Sequence, residues 1–216
     1  MSSLRFRDRT EAGQLLGREL AARFVNAGDA IVLALPRGGV PVGYEVAKAL
    51  GAALDVFIVR KLGVPGHEEL AMGAIASGGV RVLNRDVLDY ARVTQQQLDA
   101  VGAREERELA RREAEYRGNR APLDVGGRTV IIVDDGLATG STMRAAVQAL
   151  RAMEPKRVIV AVPVGAAQTC EEFREIVDEI VCLRTPEPFE AVGLWYDDFT
   201  QTTDAEVHAL LSRNPQ

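Results

Sequence analysis

The sequence is poor in the features that mark special classes of protein. Of its 216 residues only two are cysteines, Cys170 and Cys182, and two are histidines, His67 and His208. The cysteines form no Cys-x-x-Cys motif and the histidines are far apart, so neither a zinc site nor a disulfide framework is expected. A chain this long can bury a core sufficient to fold without such staples. Cys182, in an apolar run, is read as a small core residue, and Cys170, where a helix begins, as a core or inert surface residue with a reactive thiol as the alternative. Positive charge is not in excess: 26 Lys and Arg face 31 Asp and Glu, a net charge of -5, which argues against a nucleic-acid surface. Apolar runs such as residues 30–35 are strand-sized and too short to cross a bilayer. The first nine residues carry charges where a secretory signal needs an apolar stretch, so a cytoplasmic protein is expected. Internal repeats and low-complexity linkers are absent as well.

What is present is an alternation of short apolar runs with helical patterns. Residues 9–26 read as an amphipathic helix with Leu15, Leu16, Leu20 and Phe24 on one stripe, ended by Gly28. A strand at 31–35, a turn at Pro36-Arg37-Gly38-Gly39, a helix over 42–50 and a strand at 54–60 follow. Residues 71–76 and 80–83, separated by Ser77-Gly78-Gly79, predict a β-hairpin. Residues 84–119 then change character and form a helical insertion. A short helix starts near Asn84, and Thr94 with Gln97 has capping-box spacing before a longer helix. That helix carries Glu108–Arg112 and Glu113–Arg117 at favourable spacing. Its apolar stripe is thin (Leu98, Val101, Leu109), so a solvated arm is expected, with a regulatory or partner-binding role as the alternative. The alternation resumes with strands at 130–133, 158–162 and 180–183 and helices over 141–153 and 166–176. An aromatic stretch and a helix over 204–211 close the pattern. Uniformly apolar strands between helices predict a single α/β domain with a central parallel sheet covered on both faces.

The most informative segment runs Val130-Ile131-Ile132-Val133-Asp134-Asp135-Gly136-Leu137-Ala138-Thr139-Gly140-Ser141-Thr142. An apolar strand meets two adjacent acids, then a glycine-containing loop, then hydroxyl residues opening a helix. Strand ends of a parallel sheet are where ligands bind. Gly136 and Gly140 let backbone N–H groups converge on an anion at a helix N-terminus, and Thr139, Ser141 and Thr142 add hydroxyl donors. Acids facing a phosphate would repel it, so they either accept hydrogen bonds from sugar hydroxyls or hold a cation. Gly140 is followed by Ser141 rather than Lys, which excludes a P-loop, and no Gly-x-Gly-x-x-Gly occurs.

This segment resembles the signature by which type I phosphoribosyltransferases bind 5-phosphoribosyl 1-diphosphate (PRPP). The turn Leu35-Pro36-Arg37-Gly38-Gly39-Val40-Pro41 lies where that family has its diphosphate loop, and the order of elements is similar from about residue 10 to 212. The closest likeness is to a bacterial group described only as phosphoribosyltransferase-like.

The resemblance implies transfer of ribose 5-phosphate from PRPP to a nitrogen acceptor, such as a nucleobase, with diphosphate released and Mg²⁺ as cofactor. Asp134 and Asp135 would then grip the ribose hydroxyls and, with Asp197, serve the metal. Residues 138–142 would enclose the 5-phosphate. Arg37, Gly38 and Gly39 would hold the diphosphate in a loop that often contains a non-proline cis peptide, and Lys61 would reach it too. Residues 63–69 stand where the family has a flexible catalytic loop, with His67, Glu68 and Glu69 as candidate proton acceptors. A small hood over residues 186–216 would offer Trp195, Tyr196 or Phe199 to stack on the acceptor. Ala138 stands where hypoxanthine-guanine members carry a proton-accepting aspartate, which argues against that mechanism. Some relatives are regulators, so a PRPP sensor without transferase activity is the alternative. Dimers are common among relatives.

Overall fold

The computed structural model describes residues 5–24, 28–118 and 120–213. The expected helix end at 26 and insertion end at 119 lie outside the described residues. The chain gathers into two compact units. One comprises residues 1–56, 125–140 and 155–216, and the other 57–124 and 141–154.

The first unit is built on a five-stranded parallel sheet: β1 (Ala30–Ala34), β2 (Ala53–Val56), β6 (Thr129–Val133), β7 (Arg157–Val164) and β8 (Glu179–Arg184). The strand order is β2-β1-β6-β7-β8, with Ile31 opposite Val130 and Val130 opposite Val158 in register. β1 is buried throughout, and β6 and β7 are buried after their first residue, as expected for a sheet covered on both faces. Helices α1 (Arg9–Arg23) and α2 (Gly39–Leu50) pack on each other, α1 lying along β7 and α2 along β1. α1 buries Leu16 and Leu20, and the Phe24 N–H donates to the Leu20 carbonyl after its last turn. α6 (Ala167–Phe173) lies against β8, and α7 (Asp204–Arg213) packs on α2. Thr203 and Glu206 form a reciprocal cap at the α7 entry.

β1 and β6 are neighbours whose onward connections leave in opposite directions. Their C-terminal ends therefore border the crevice at which open parallel sheets bind ligands. Both informative segments of the sequence begin there.

The second unit holds an antiparallel sheet of β3 (Val59–Val64), β4 (His67–Ala76) and β5 (Val80–Leu83), in that order. It also holds α3 (Arg85–Tyr90), α4 (Gln95–Arg117) and α5 (Ser141–Arg151). Three expectations change here. The strand expected at 54–60 is two strands, β2 and β3, each with a different partner; both halves are apolar, so periodicity carries no sign of the break. The expected flexible loop at 63–69 is the tip of the β3–β4 ribbon, turning at Pro65-Gly66. α4 is also more than a solvated arm: Leu98, Val101 and Leu109 are buried, and the helix lies along β3 and β4. The expected caps at Asn84 and Thr94 are present, the latter as a full capping box.

α4 is fixed by a buried charge. Glu105 is 6% exposed, and its Oε2 accepts from Arg60 Nε and Nη2 at 2.8 and 2.6 Å, while Oε1 accepts from Arg104. Farther along, Glu108 binds Arg112 as expected; Arg111, then Arg112, hold its carboxyl down at about 2. Among the described residues no helix is long and apolar enough to cross a membrane. The fork on Glu105 leads to an expected outcome: Glu105→Ala, which leaves Arg60 half-buried and unpaired, lowers the unfolding free energy by about 2 kcal/mol in urea titrations.

Candidate functional site

The site begins with a close approach of two backbone segments. Leu35 N–H donates to the Val133 carbonyl at 2.9 Å, and Gly39 N–H donates to Leu35 at 3.0 Å. The turn after β1 is thereby laid across the end of β6. A Cβ on Gly39 would stand 2.7 Å from the Val133 carbonyl oxygen, and one on Gly38 would stand 2.1 Å from Asp135 Oδ2. Backbone closes position 39 to any side chain, and a side chain at position 38 would push the Asp135 carboxylate aside, so the two glycines let the turn and the two acids meet. The Pro36–Arg37 peptide is cis, as the resemblance implied. The turn feeds the N-terminus of α2, whose dipole favours an anion, although the Gly39 and Val40 N–H groups already donate to Leu35 and Arg37 and Pro41 has none. The Arg37 guanidinium lies 3.6 Å from Asp204 in an exposed ion pair, which is weak enough to yield to a stronger anion.

Asp134 and Asp135 follow β6 directly and are largely withdrawn from solvent. Asp134 Oδ1 accepts from the Asp135 N–H at 2.8 Å. Burial, and then the neighbouring Asp135 charge, raise the Asp134 carboxyl well above its ordinary value. Burial raises Asp135 too, opposed by Arg9. Arg9, which sequence reasoning missed, donates from Nε to Asp135 Oδ2 at 2.9 Å and from Nη1 to the Thr200 carbonyl at 2.7 Å. Its guanidinium lies 3.9 Å from the centroid of the Phe199 ring. Position 9 is separated from Asp135 by 126 residues and carried no local signal.

The loop after the acids is fastened to the end of β7 and to α6. Leu137 N–H donates to Val164, Ala166 N–H donates to Leu137, and Thr169 Oγ1 donates to the Ala138 carbonyl at 2.7 Å. Gly140 has φ +72°, and a Cβ there would meet the Phe173 ring at 2.6 Å. Ala138 and Thr139 are exposed at the rim, and the chain continues directly into the hydroxyls of Ser141 and Thr142 at the start of α5. Within the second unit, Lys61 Nζ donates to Ser141 Oγ at 3.1 Å.

Of the three aromatics expected to stack on an acceptor, Tyr196 is buried, Trp195 is partly buried and Phe199 is exposed. Tyr196 is 3% exposed, and its hydroxyl donates to the Asp135 carbonyl at 2.6 Å. Burial, and then the Asp135 charge, raise the phenol above its ordinary value and keep it a donor. Trp195 packs against the cluster of Phe6, Ala12, Val164 and Tyr196, and one face of Phe199 is covered by Arg9. A parallel ribbon holds this stretch in place. Phe6 N–H donates to Trp195, Asp197 N–H to Phe6 and Asp198 N–H to Arg7, each at 2.8 Å. Asp197, expected to serve the metal, is exposed. Among the described residues no three His, Cys, Asp or Glu side chains are grouped to hold a metal ion. Asp134 and Asp135 remain as a pair, and a pair of buried carboxylates fits a Mg²⁺ ion that draws its other oxygens from water and substrate phosphate. A cleft of about 700 Å³ opens beside Arg9, lined also by Pro41, Thr202, Leu210 and Arg213.

Of the cysteines, Cys170 is the buried one, while Cys182 is half-buried and donates to the Arg184 carbonyl.

Two outcomes follow from this geometry. A carboxyl whose folded pKa lies above its unfolded value stabilises the fold fully below the unfolded value, and that contribution is lost as pH rises through the folded one. Asp134→Asn therefore melts higher than the native protein near neutral pH without ligand. Its advantage shrinks as pH falls towards 3.8, which a pH series of melting curves checks. Gly140→Ala, left-handed and against Phe173, costs about 2–4 kcal/mol in urea unfolding.

Comparison with known proteins agrees with this arrangement. The pattern of the family described as "Phosphoribosyl transferase domain" matches residues 9–197. "Putative phosphoribosyl transferase Rv0571c" of Mycobacterium tuberculosis is 49% identical over 208 residues, 96% of this chain and 46% of that protein. "Bifunctional protein PyrR" of Chloroflexus aurantiacus is 33% identical over 129 residues, 58% of this chain and 65% of that one. The crystal structure of TT1426 from Thermus thermophilus superposes with a TM-score of 0.89 at 43% identity, covering 98% of this chain and all of that one. The chain spans about half the length of the mycobacterial relative. With a matching pattern over most of its length, an acid pair at the end of β6 and a glycine turn pressed against it, the chain belongs to the phosphoribosyl transferase domain family.

Proposed function

We propose that this protein binds PRPP at the ends of β1 and β6 and transfers its phosphoribosyl group to a nitrogen acceptor, releasing diphosphate. The observation that carries this reading is the contact of Gly38 and Gly39 with Asp135 and the end of β6. It sets a diphosphate-binding turn directly against two sugar-binding carboxylates, so the bond to be broken lies between them.

In this reading Asp134 and Asp135 accept hydrogen bonds from the ribose hydroxyls. Residues 138–142 enclose the 5-phosphate with amides and hydroxyls. Arg37 leaves Asp204 for the diphosphate and offsets the charge that develops there as the bond from the anomeric carbon to oxygen lengthens. The carbon passes through an oxocarbenium-like state, and the acceptor nitrogen bonds to it as diphosphate departs. Asp134 and Asp135 are the residues that would hold Mg²⁺, which when bound neutralises diphosphate charge. The cleft beside Arg9 is the space we assign to the acceptor, since Arg9 lines it and also touches Asp135. Its lining of threonines and charged groups suits a polar acceptor held by hydrogen bonds rather than by ring stacking.

PRPP with Mg²⁺ is expected to raise the melting temperature, and the paired change Asp134→Asn with Asp135→Asn to abolish the rise. An unchanged rise in that variant refutes the site. Gly38→Ala, which drives a methyl into Asp135, is expected to weaken PRPP binding at least tenfold by calorimetry. A panel of purines, pyrimidines, orotate and simple amines then tests for PRPP-dependent diphosphate release. Binding with no release for any acceptor would leave a PRPP-binding protein without transferase activity.

A further inference from the structure

Arg9 occupies an unusual place for a structural arginine. It is the first residue of α1, directly after the Asp8 cap, where the helix dipole disfavours a cation. Its side chain is nonetheless 11% exposed, with Nε on Asp135 Oδ2, Nη1 on the Thr200 carbonyl, and the guanidinium plane against Phe199. Helix stability does not explain a buried cation there; the acid does.

The same acidic residue is held a second time, through its main chain, by the Tyr196 hydroxyl. Arg9 follows one strand of the ribbon, residues 6–7, and Tyr196 lies in the other. Two segments 190 positions apart in sequence thus reach Asp135 together, one at its carboxylate and one at its carbonyl. With Oδ2 committed to Arg9 and resting on Gly38, Oδ1 is the oxygen left to face a sugar hydroxyl.

We propose that Arg9 is a positioning residue for the ribose-binding acid: it fixes one oxygen of Asp135 so that the other is presented to the sugar, and the paired segments 6–9 and 195–200 hold Arg9 to that task. The inference rests on the PRPP-binding reading above. It requires that loss of Arg9 weaken binding of ligands with a ribose and spare ligands without one. Inorganic diphosphate offered without Mg²⁺ would meet the Arg37–Gly39 turn and make no call on Asp135, whereas PRPP and ribose 5-phosphate also need Asp135. General damage to the fold would weaken all three ligands alike.

The test is calorimetry of the native protein, Arg9→Gln and Arg9→Lys with PRPP and ribose 5-phosphate in Mg²⁺ and with diphosphate in EDTA, alongside melting curves. The expected result is a loss of about tenfold or more for PRPP and ribose 5-phosphate in Arg9→Gln. Diphosphate affinity should stay within about twofold, and Arg9→Lys, which keeps the charge and loses the fork, should recover part of the loss. Should Arg9→Gln fail to fold, Phe199→Leu, which removes the ring behind the guanidinium, is expected to give a smaller loss with the same ligand pattern. Native-like ribose binding in Arg9→Gln, or equal loss for all three ligands, overturns the role of Arg9 and leaves the PRPP reading standing. No PRPP binding by the native protein overturns both.

Discussion

Two adjacent carboxylates, largely withdrawn from water at the end of one strand, are the constraint around which the first unit is arranged. Burying like charges side by side is unfavourable unless partners or a cation offset them. Arg9 offsets one of them, and the Asp135 N–H supports the other. The glycine turn is the steric counterpart, since any side chain at position 38 would displace a carboxylate oxygen. The pair persists at a cost to the ligand-free fold, as binding sites often do.

Much of this was legible in the sequence because it is local. The strand–acid–glycine–hydroxyl order of residues 130–142 states its own chemistry, and the turn at 36–39 follows a strand of the same sheet. The caps at Asn84 and Thr94 were readable for the same reason: each needs only residues three apart. Arg9 could not be read, because its meaning depends on a partner 126 positions away and on a distant segment that folds over it. Tyr196 misleads in another way. A tyrosine beside a tryptophan reads as a stacking surface, and nothing local says that its hydroxyl will be spent on a main-chain carbonyl.

The second unit shows a different limit. Apolar patterning located residues 54–60 as buried and read the helix through residues 98–109 as a solvated arm, and it is blind to which sheet a strand joins. β2 and β3 divide a single apolar run between two sheets, and the thin stripe of α4 proved wide enough to seat it on β3 and β4. Glu105 completes that seat with a charge rather than a hydrocarbon, which a hydrophobicity pattern counts as solvent-facing.

The parallel ribbon that joins residues 6–7 to 196–198 also bears on how the protein is made. Translation delivers the two halves of that ribbon far apart in time, so an emerging chain can form β1, α2 and β6 long before Asp135 acquires Tyr196. The nascent protein therefore has Arg9 but not Tyr196 to hold Asp135 until residues 196–200 have left the ribosome, and the pocket is finished only when that late segment returns to the early one.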